Sequence, residues 1–392
     1  MSLKTILITG GAGFIGKYLL DALKGKVETI VILDNLLPQV HSGNEAFSKT
    51  LLEQATCIRG DIRDIELWKR VGKEFPNIET IVHLAAMTGT GQSMYALKEY
   101  DSVNCGGTAT MIEALLDRGQ DAAFKQLKSV VLASSRAVYG EGAYRCEAHP
   151  ENLQYPEQRS LERLKLGEFG FACEICELPM SPVPTPEEAP LRPGSFYGVT
   201  KLVQEQYLRT MLNAAGINFT ALRFQNVFGP GQSLKNPYTG VIGVFYSNLV
   251  GRRPISIYED GNITRDFVYV TDVADALAAA VLFKAPGTFN IGSGEFSRLW
   301  DVSKWLSEAL GIEVPMTCTG AFRVGDIWQN AADIRKAQDA LGYSPKVTVR
   351  EGLRRYVEWA KSEEPLDSKA IAEAAQKLEE AGLSGIGSKS KI

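Results

Sequence analysis

Six short runs rich in β-branched residues, TILITG, TIVILD, TCIRGD, TIVHLAA, SVVLASS and FTALRFQNVFG, succeed one another through the first 229 residues. Stretches with helical spacing separate them, among them FIGKYLLDALKG and VNCGGTATMIEALLDRG. Continuous apolar strands alternating with helices require a parallel sheet covered on both faces, because each parallel connection needs a crossover. The expected fold class is therefore α/β, with a doubly wound parallel sheet. After Gly229 the rhythm loosens through GVIGVFYSNLVGRRPISIY, DVSKWLSEALG and the amphipathic VREGLRRYVEWAKS, which predicts a smaller C-terminal lobe completing a cleft. The tail from Glu363 is polar, helix-forming at 369–382, and is expected to fray at GIGSKSKI.

A formal charge of -4 gives no long-range attraction for nucleic acid or an anionic membrane, so phosphate has to be held by a few local donors. The longest apolar runs, such as ALAAAVLF, fall far short of the ~18 residues that span a bilayer. MSLKTILITGG enters a strand pattern without a signal-peptide layout, and a cytoplasmic location is expected. In that reducing setting the six cysteines are read as free thiols or metal ligands.

TILITGGAGFIGKYLL puts Gly10, Gly13 and Gly16 at a strand-to-helix junction. The first suits a tight turn, the second lets backbone approach a pyrophosphate, and the third packs helix on strand, while the helix N-terminus offers free N–H groups to the anion. A glycine turn kept for packing alone is the alternative. Asp34, at the end of VILDN, suits the adenosine ribose diol and would repel a 2′-phosphate, which favours NAD over NADP on a Rossmann-type sheet. Phe14, Ile15 and Asn35 adjoin these positions, and Asp61 with Ile62 ends the third strand where an adenine would lie, unless the carboxylate merely serves its turn. SFYGVTK carries Tyr197 and Lys201 four residues apart, on one helix face. A phenol is a weak base near pH 7, but an adjacent ammonium and a nicotinamide cation both favour phenolate. A packed tyrosine with an exposed lysine is the ordinary reading of that spacing alone.

Together GGAGFIG, HLAA, SSRAVYG, YGVTK and RDFVYVTDVADA resemble the extended short-chain dehydrogenase/reductases, in their nucleotide-sugar epimerase and dehydratase branch, over about residues 4–360. The resemblance implies a permanently held NAD, Tyr197 as base, Lys201 on the nicotinamide ribose, and Ser135 hydrogen-bonding the reacting oxygen. It also implies cofactor contacts at Leu84, Ala85, Ala86 and Asn104. Asn226, Arg265 and Arg323 would grip the nucleotide diphosphate, which fixed guanidinium groups suit chemically, although each arginine could instead serve a structural ion pair. The implied domains are 1–230 for NAD, with 262–289 returning to it; 231–261 and 290–360 for the nucleotide sugar; and 361–392 as helix and tail. Base contacts are expected within 241–258, where no motif is legible.

Sugar 4,6-dehydratases of this branch carry an acidic pair directly after the Ser/Thr, because elimination needs an acid and a base. Here those positions are Arg136 and Ala137, which leaves hydride transfer alone and so an epimerase. A loop charge facing solvent is the ordinary alternative for Arg136, and the absence of the acids holds either way.

Between Tyr139 and Tyr197 lies an insertion, 143–181, holding Cys146-x2-His149 and Cys173-x2-Cys176. Two close pairs across a loop are the layout of a closed tetrahedral structural zinc site; free thiols or a redox CxxC are the alternatives. Zinc would fold a segment with little apolar content of its own. The insertion, HLAAMTGTGQSMY, NPYTGV and the tail most resemble the group that interconverts dTDP-L-rhamnose and dTDP-6-deoxy-L-talose, which would put Thr88 to Gln92 in the sugar pocket. A UDP-hexose or UDP-hexuronate 4-epimerase is the alternative within enzymes, and a non-catalytic NAD-binding sensor the alternative outside them. The helices at 103–119 and 201–216 resemble those that pair across a two-fold axis in this superfamily, which predicts a homodimer, although their apolar residues could equally be core. Cys57, Cys105 and Cys318 are read as small buried hydrophobes.

Overall fold

A computed structural model describes residues 3–41, 46–117, 123–236, 238 and 240–388. Of the sequence expectations, Arg118, Gly119, Pro237, Thr239 and residues 389–392 lie outside the described residues. Seven strands build the main sheet: β1 (Leu3–Thr9), β2 (Val27–Asp34), β3 (Thr56–Arg59), β4 (Ile78–His83), β5 (Ser129–Ser135), β6 (Asn218–Phe224) and β7 (Gly287–Ile291). They run parallel in the order β7-β6-β5-β4-β1-β2-β3. Along β1, Ile6 and Ile8 enter the core on one face and Leu7 the core on the other, as period-two geometry demands. Strand order reverses between β1 and β4, opening a crevice beyond their carboxyl ends where doubly wound sheets bind ligands.

The lobe has its own core, including Phe228, Phe245, Ile257, Leu353 and Tyr356. One assignment changes: Ala337, Leu341 and Tyr343 belong to the core of the main sheet, so the helix Arg335–Leu341 sits with that sheet although its segment was assigned to the lobe. The insertion is a three-stranded antiparallel sheet of Ala143–Cys146, His149–Gln154 and Ser181–Val183, plus a helix at Leu161–Leu166. It carries a small core of Tyr144, Cys146, Phe171, Cys173 and Met180, more apolar packing than its charge and proline suggested.

The tail does not fray over its described part. Helix Ser368–Glu380 is capped by Asp367, and Ser384–Ile386 then pairs antiparallel with Ala321–Arg323. Backbone bonds continue past that strand: Gly387 N–H donates to the Gly320 carbonyl (2.9 Å) and Ser388 N–H to the Lys165 carbonyl of the insertion (2.8 Å). A polar sequence is held here because its main chain is paired. Among the described residues no helix is long and apolar enough to cross a membrane.

Candidate active site and the inserted cysteine cluster

The glycine turn closes on the end of β4. Gly10 has φ +68°, and a Cβ there would lie 2.7 Å from the Ala85 nitrogen, while a Cβ on Gly16 would lie 2.2 Å from the Gly11 carbonyl. At Gly13, the N-cap of helix Phe14–Leu23, a Cβ meets only the Gly10 carbonyl, at 3.2 Å. That open side faces a pocket lined by Gly10, Gly13, Asp34, Asn35, Asp61, Ile62, Ala85 and Ala86. Asp34 is buried and ties the pocket together: Ala12 N–H donates to Oδ2 (3.1 Å) and Leu36 N–H to Oδ1 (2.9 Å), which leaves lone pairs for a diol. Asp61 is forked by Arg63, whose hydrogen bonds hold the carboxyl down at about 2, and Asn35 donates to it at 3.3 Å. These residues fit a dinucleotide. Four other expected residues adjoin the pocket but turn their side chains to other partners. Phe14 and Ile15 pack their side chains against the lobe core, Leu84 packs on the sheet core, and Asn104 is fully engaged with Met87 (2.8 and 3.1 Å) and Thr200 (2.9 Å).

At the end of β5, Ser135 is extended and passes into a single turn of 3-10 helix, Arg136–Tyr139. Helix Phe196–Ala214, capped by Ser195, rests on that turn so closely that a Cβ on Gly198 would lie 2.6 Å from the Ala137 carbonyl. This contact sets Tyr197 beside Ser135. Burial pushes the Tyr197 phenol up, while the Ser135 hydroxyl and the Arg136 guanidinium pull it down. Lys201 is buried beneath it, its Nζ 6.0 Å from the Tyr197 ring centre and donating to the Ala133 carbonyl at 2.9 Å. Burial brings its ammonium down to about 7, against the opposing pull of Glu205 and Cys105. A hydroxyl donor, a phenol and an amine thus converge where a carbinol would lose a proton. Arg136 is half-buried rather than a free loop charge: its Nη1 is sealed off, without a hydrogen-bond partner among the described residues.

On the lobe side, Arg265 donates through Nη1 to the carbonyls of Thr264 (2.7 Å) and Trp328 (3.1 Å). Arg323 lies 5.1 Å over the Tyr258 ring. Asn226 reaches the Asp266 carbonyl at 3.2 Å. Asp326 acts electrostatically on Arg136, Arg265 and Arg323 alike, so the three guanidinium groups border one region.

Thr88 to Gln92 arch over the start of the Tyr197 helix. Tyr100, which spacing did not single out, holds them: its hydroxyl donates to the Thr88 carbonyl (2.7 Å) and its ring meets Tyr197 edge-on at 6.5 Å. Ser93 accepts the Tyr197 N–H at 3.0 Å, and Gln92 exchanges hydrogen bonds with Gln39. His83 of the HLAA motif is another unforeseen support. It bonds Thr9 (2.7 Å) and Thr108 (3.2 Å), and burial drives its imidazole down to about 3, keeping it neutral.

In the insertion, the ligand atoms of Cys146, His149, Cys173 and Cys176 all lie within 4.8 Å of one another. Cys146 Sγ is 3.6 Å from Cys176 Sγ, too far for a disulfide, and Cys173 Sγ is 3.7 Å from His149 Nδ1. Tetrahedral zinc with bonds of ~2.3 Å sets its ligand atoms roughly 3.7 Å apart. Gln154 and the Ile175 N–H donate to Cys173 Sγ at 3.1 and 3.4 Å, as thiolate ligands require. A buried ion cluster joins the insertion to the lobe: Arg159 donates through Nε to Glu141 (2.9 Å) and through Nη1 to Glu259 (2.5 Å). Of the remaining cysteines Cys105 is buried and Cys57 half-buried, whereas Cys318 is exposed, against expectation, because its short strand lies at the edge of a two-stranded ladder.

A family model described as the NAD dependent epimerase/dehydratase family matches residues 6–160 and 173–292. A dTDP-L-rhamnose 4-epimerase from Burkholderia thailandensis is 37% identical over 92% of this chain and 96% of its own length. A putative UDP-glucose 4-epimerase from Methanocaldococcus jannaschii is 30% identical over 91% of this chain and 98% of its own. Among solved structures, a Thermus thermophilus UDP-glucose 4-epimerase in complex with NAD superposes with a TM-score of 0.70 at 27% identity, covering 92% of this chain and 100% of that one. A Thermotoga maritima UDP-glucose 4-epimerase with UDP-glucose gives 0.69 at 28%, covering 91% and 98%.

Proposed function

The chain belongs to the NAD-dependent epimerase/dehydratase family, and from that premise we propose that it interconverts dTDP-L-rhamnose and dTDP-6-deoxy-L-talose. It is an NAD-dependent nucleotide-sugar 4-epimerase, an isomerase. The observation that carries the reading is Tyr197 set beside Ser135 above buried Lys201, with Arg136 and Ala137 in the two positions where an eliminating enzyme would hold its acids.

In this reading Gly10, Gly13, Asp34 and Asp61 hold NAD, which when bound supplies the nicotinamide carbon that takes up the C4 hydride and gives it back. Tyr197 removes the proton of the C4 hydroxyl and later returns it to the 4-ketone oxygen, and Ser135 donates a hydrogen bond to that oxygen. Lys201 keeps the base oriented. Asn226, Arg265 and Arg323 hold the diphosphate while the ring presents its other face, and Thr88 to Gln92 shape the space in which it turns. Glu141, a carboxylate near the site, is saturated by Arg159 and by the Trp328 N–H (2.8 Å), so it is not free to assist loss of water.

Structural zinc at Cys146, His149, Cys173 and Cys176 is part of the proposal, supported by four ligand atoms that lie within 4.8 Å of one another. A homodimer is supported by helix Phe196–Ala214, which exposes Val199, Tyr207 and Met211; the apolar residues of helix Gly107–Leu116 are already core. A cytoplasmic location is consistent with the three cysteine thiols of the cluster being kept reduced.

The test is turnover without added cofactor. Purified protein is incubated with dTDP-L-rhamnose and, separately, with UDP-glucose and UDP-glucuronate, and the sugar protons are followed by NMR. dTDP-L-rhamnose should relax to a mixture with its C4 epimer, and Tyr197→Phe should lose about 100-fold or more. Turnover of the UDP sugars alone would reject the substrate, and unchanged activity in the Phe variant would reject enzymic function for this site.

A further inference from the structure

The nucleotide-sugar reading leaves one charged side chain of the cleft without a task. Arg136 follows Ser135 directly, and its turn is in backbone contact with the helix that carries Tyr197. Its Nη1 is enclosed and has no partner among the described residues. A guanidinium carries five N–H donors in a fixed fork, and leaving a charged donor unsatisfied away from water is among the more costly defects a protein can hold.

Among the described residues, the charged and titratable groups that act on it, Arg265, Asp326, Glu141 and Tyr197, are already engaged. Arg265 repels it. Both Glu141 oxygens are taken, one by Arg159 at 2.9 Å and the other by the Trp328 N–H at 2.8 Å. Asp326 is shared electrostatically with Arg265 and Arg323. Tyr197 lies beside Ser135, whose hydroxyl acts on its phenol. A substrate oxygen lying beside Ser135 and Tyr197 would supply the missing acceptor.

Two parts of a nucleotide sugar carry suitable oxygens, the diphosphate and the sugar. Arg265 and Arg323 stand on separate strands of the lobe side, whereas Arg136 continues the strand that ends in Ser135 and so borders the reacting end. We propose that Arg136 is a substrate-binding residue of that end: its free Nη1 donates to a sugar oxygen, and its positive charge stands beside Tyr197 while the proton moves. The assignment rests on the epimerase reading. It also suits the reaction, because a 4-epimerase has to hold its sugar in two orientations, and a guanidinium fork accepts whichever hydroxyl either orientation presents. The charge favours phenolate at Tyr197, a part given to Lys201 when the sequence is read alone.

The test compares Arg136→Met and Arg136→Lys with the wild type, using retained NAD and the melting temperature to establish that each variant is folded. Wild-type turnover of dTDP-L-rhamnose is the control that separates failure of the epimerase reading from failure of this inference. In the Met variant, KM for the nucleotide sugar should rise about tenfold to 100-fold, the effect of one lost charged hydrogen bond, while the affinity for dTDP alone, measured by calorimetry, stays as in the wild type. The acid limb of the kcat profile should move to higher pH, because a phenol without the neighbouring cation is harder to ionise. Lys should return that limb toward the wild-type position, a response that a purely structural arginine would not produce. Equal weakening of dTDP and the nucleotide sugar would assign Arg136 to the diphosphate and overturn the proposal. Wild-type KM with an unmoved acid limb in the Met variant would overturn it as well.

Discussion

Trp328 accepts the Nη1 hydrogen of Arg265 on its main-chain carbonyl at 3.1 Å, while its indole lies parallel to Tyr144 of the insertion, ring centres 6.5 Å apart. Tyr144 in turn packs with Cys146, Phe171 and Cys173. The cysteine cluster is thereby mechanically joined to a guanidinium of the cleft.

Cys173→Ser should consequently act at a distance. We expect metal content to fall to background, the melting temperature to drop, and KM for the nucleotide sugar to rise about tenfold as Arg265 loses its fixed orientation. NAD content should stay stoichiometric, because the glycine turn is far along the chain and independently packed. Elemental analysis, a melt and steady-state kinetics on one preparation check all three.

Removal of residues 383–392 deletes the strand that pairs with Ala321–Arg323 and the Leu383 carbonyl that accepts from Val324 N–H at 2.8 Å. Arg323 then stands on an unpaired strand. KM should increase several-fold, with kcat within about twofold of the full chain, since uniform binding is lost and Tyr197 is untouched.

Gly13→Ala separates folding from cofactor retention. The new methyl meets only the Gly10 carbonyl and enters the side of the turn that faces the pocket. The melting temperature of the cofactor-stripped protein should change by no more than about 2 °C, while bound NAD, released by acid and measured by absorbance, should be mostly lost.

His83 predicts an acid-sensitive fold. Its imidazole falls from 6.5 to about 3 through burial, so below pH 6.5 the unfolded chain binds a proton that the folded one refuses. Its stabilising contribution is complete above pH 6.5 and is lost as pH falls toward 3. His83→Gln should flatten the pH dependence of the melting temperature in that window; an unchanged slope would refute the assignment.

What could be read from the residues alone was whatever local spacing encodes. The glycine turn, Asp34, the Tyr197–Lys201 pair and the four insertion ligands follow from contacts within a few residues, or from chemistry that few residue types can perform. Arg136 was given no task because a charge in a short turn is usually solvated; the enclosure of its Nη1 goes with a helix that begins sixty residues later. Tyr100, His83 and Arg159 act through partners far along the chain, as in the Arg159–Glu259 pair, and no periodicity announces such a contact. The tail looked frayed because its order comes from main-chain pairing, which side-chain composition does not report.

The strand at Ser384–Ile386 connects Arg323 with the insertion, and this has a consequence for biosynthesis. A nascent chain that has already exposed Tyr197, Lys201 and Arg265 still lacks the strand that pairs with Arg323. In the proposed reading, full affinity for the diphosphate is reached only when that distant ribbon has left the ribosome and docked, so tight substrate binding matures later than dinucleotide binding.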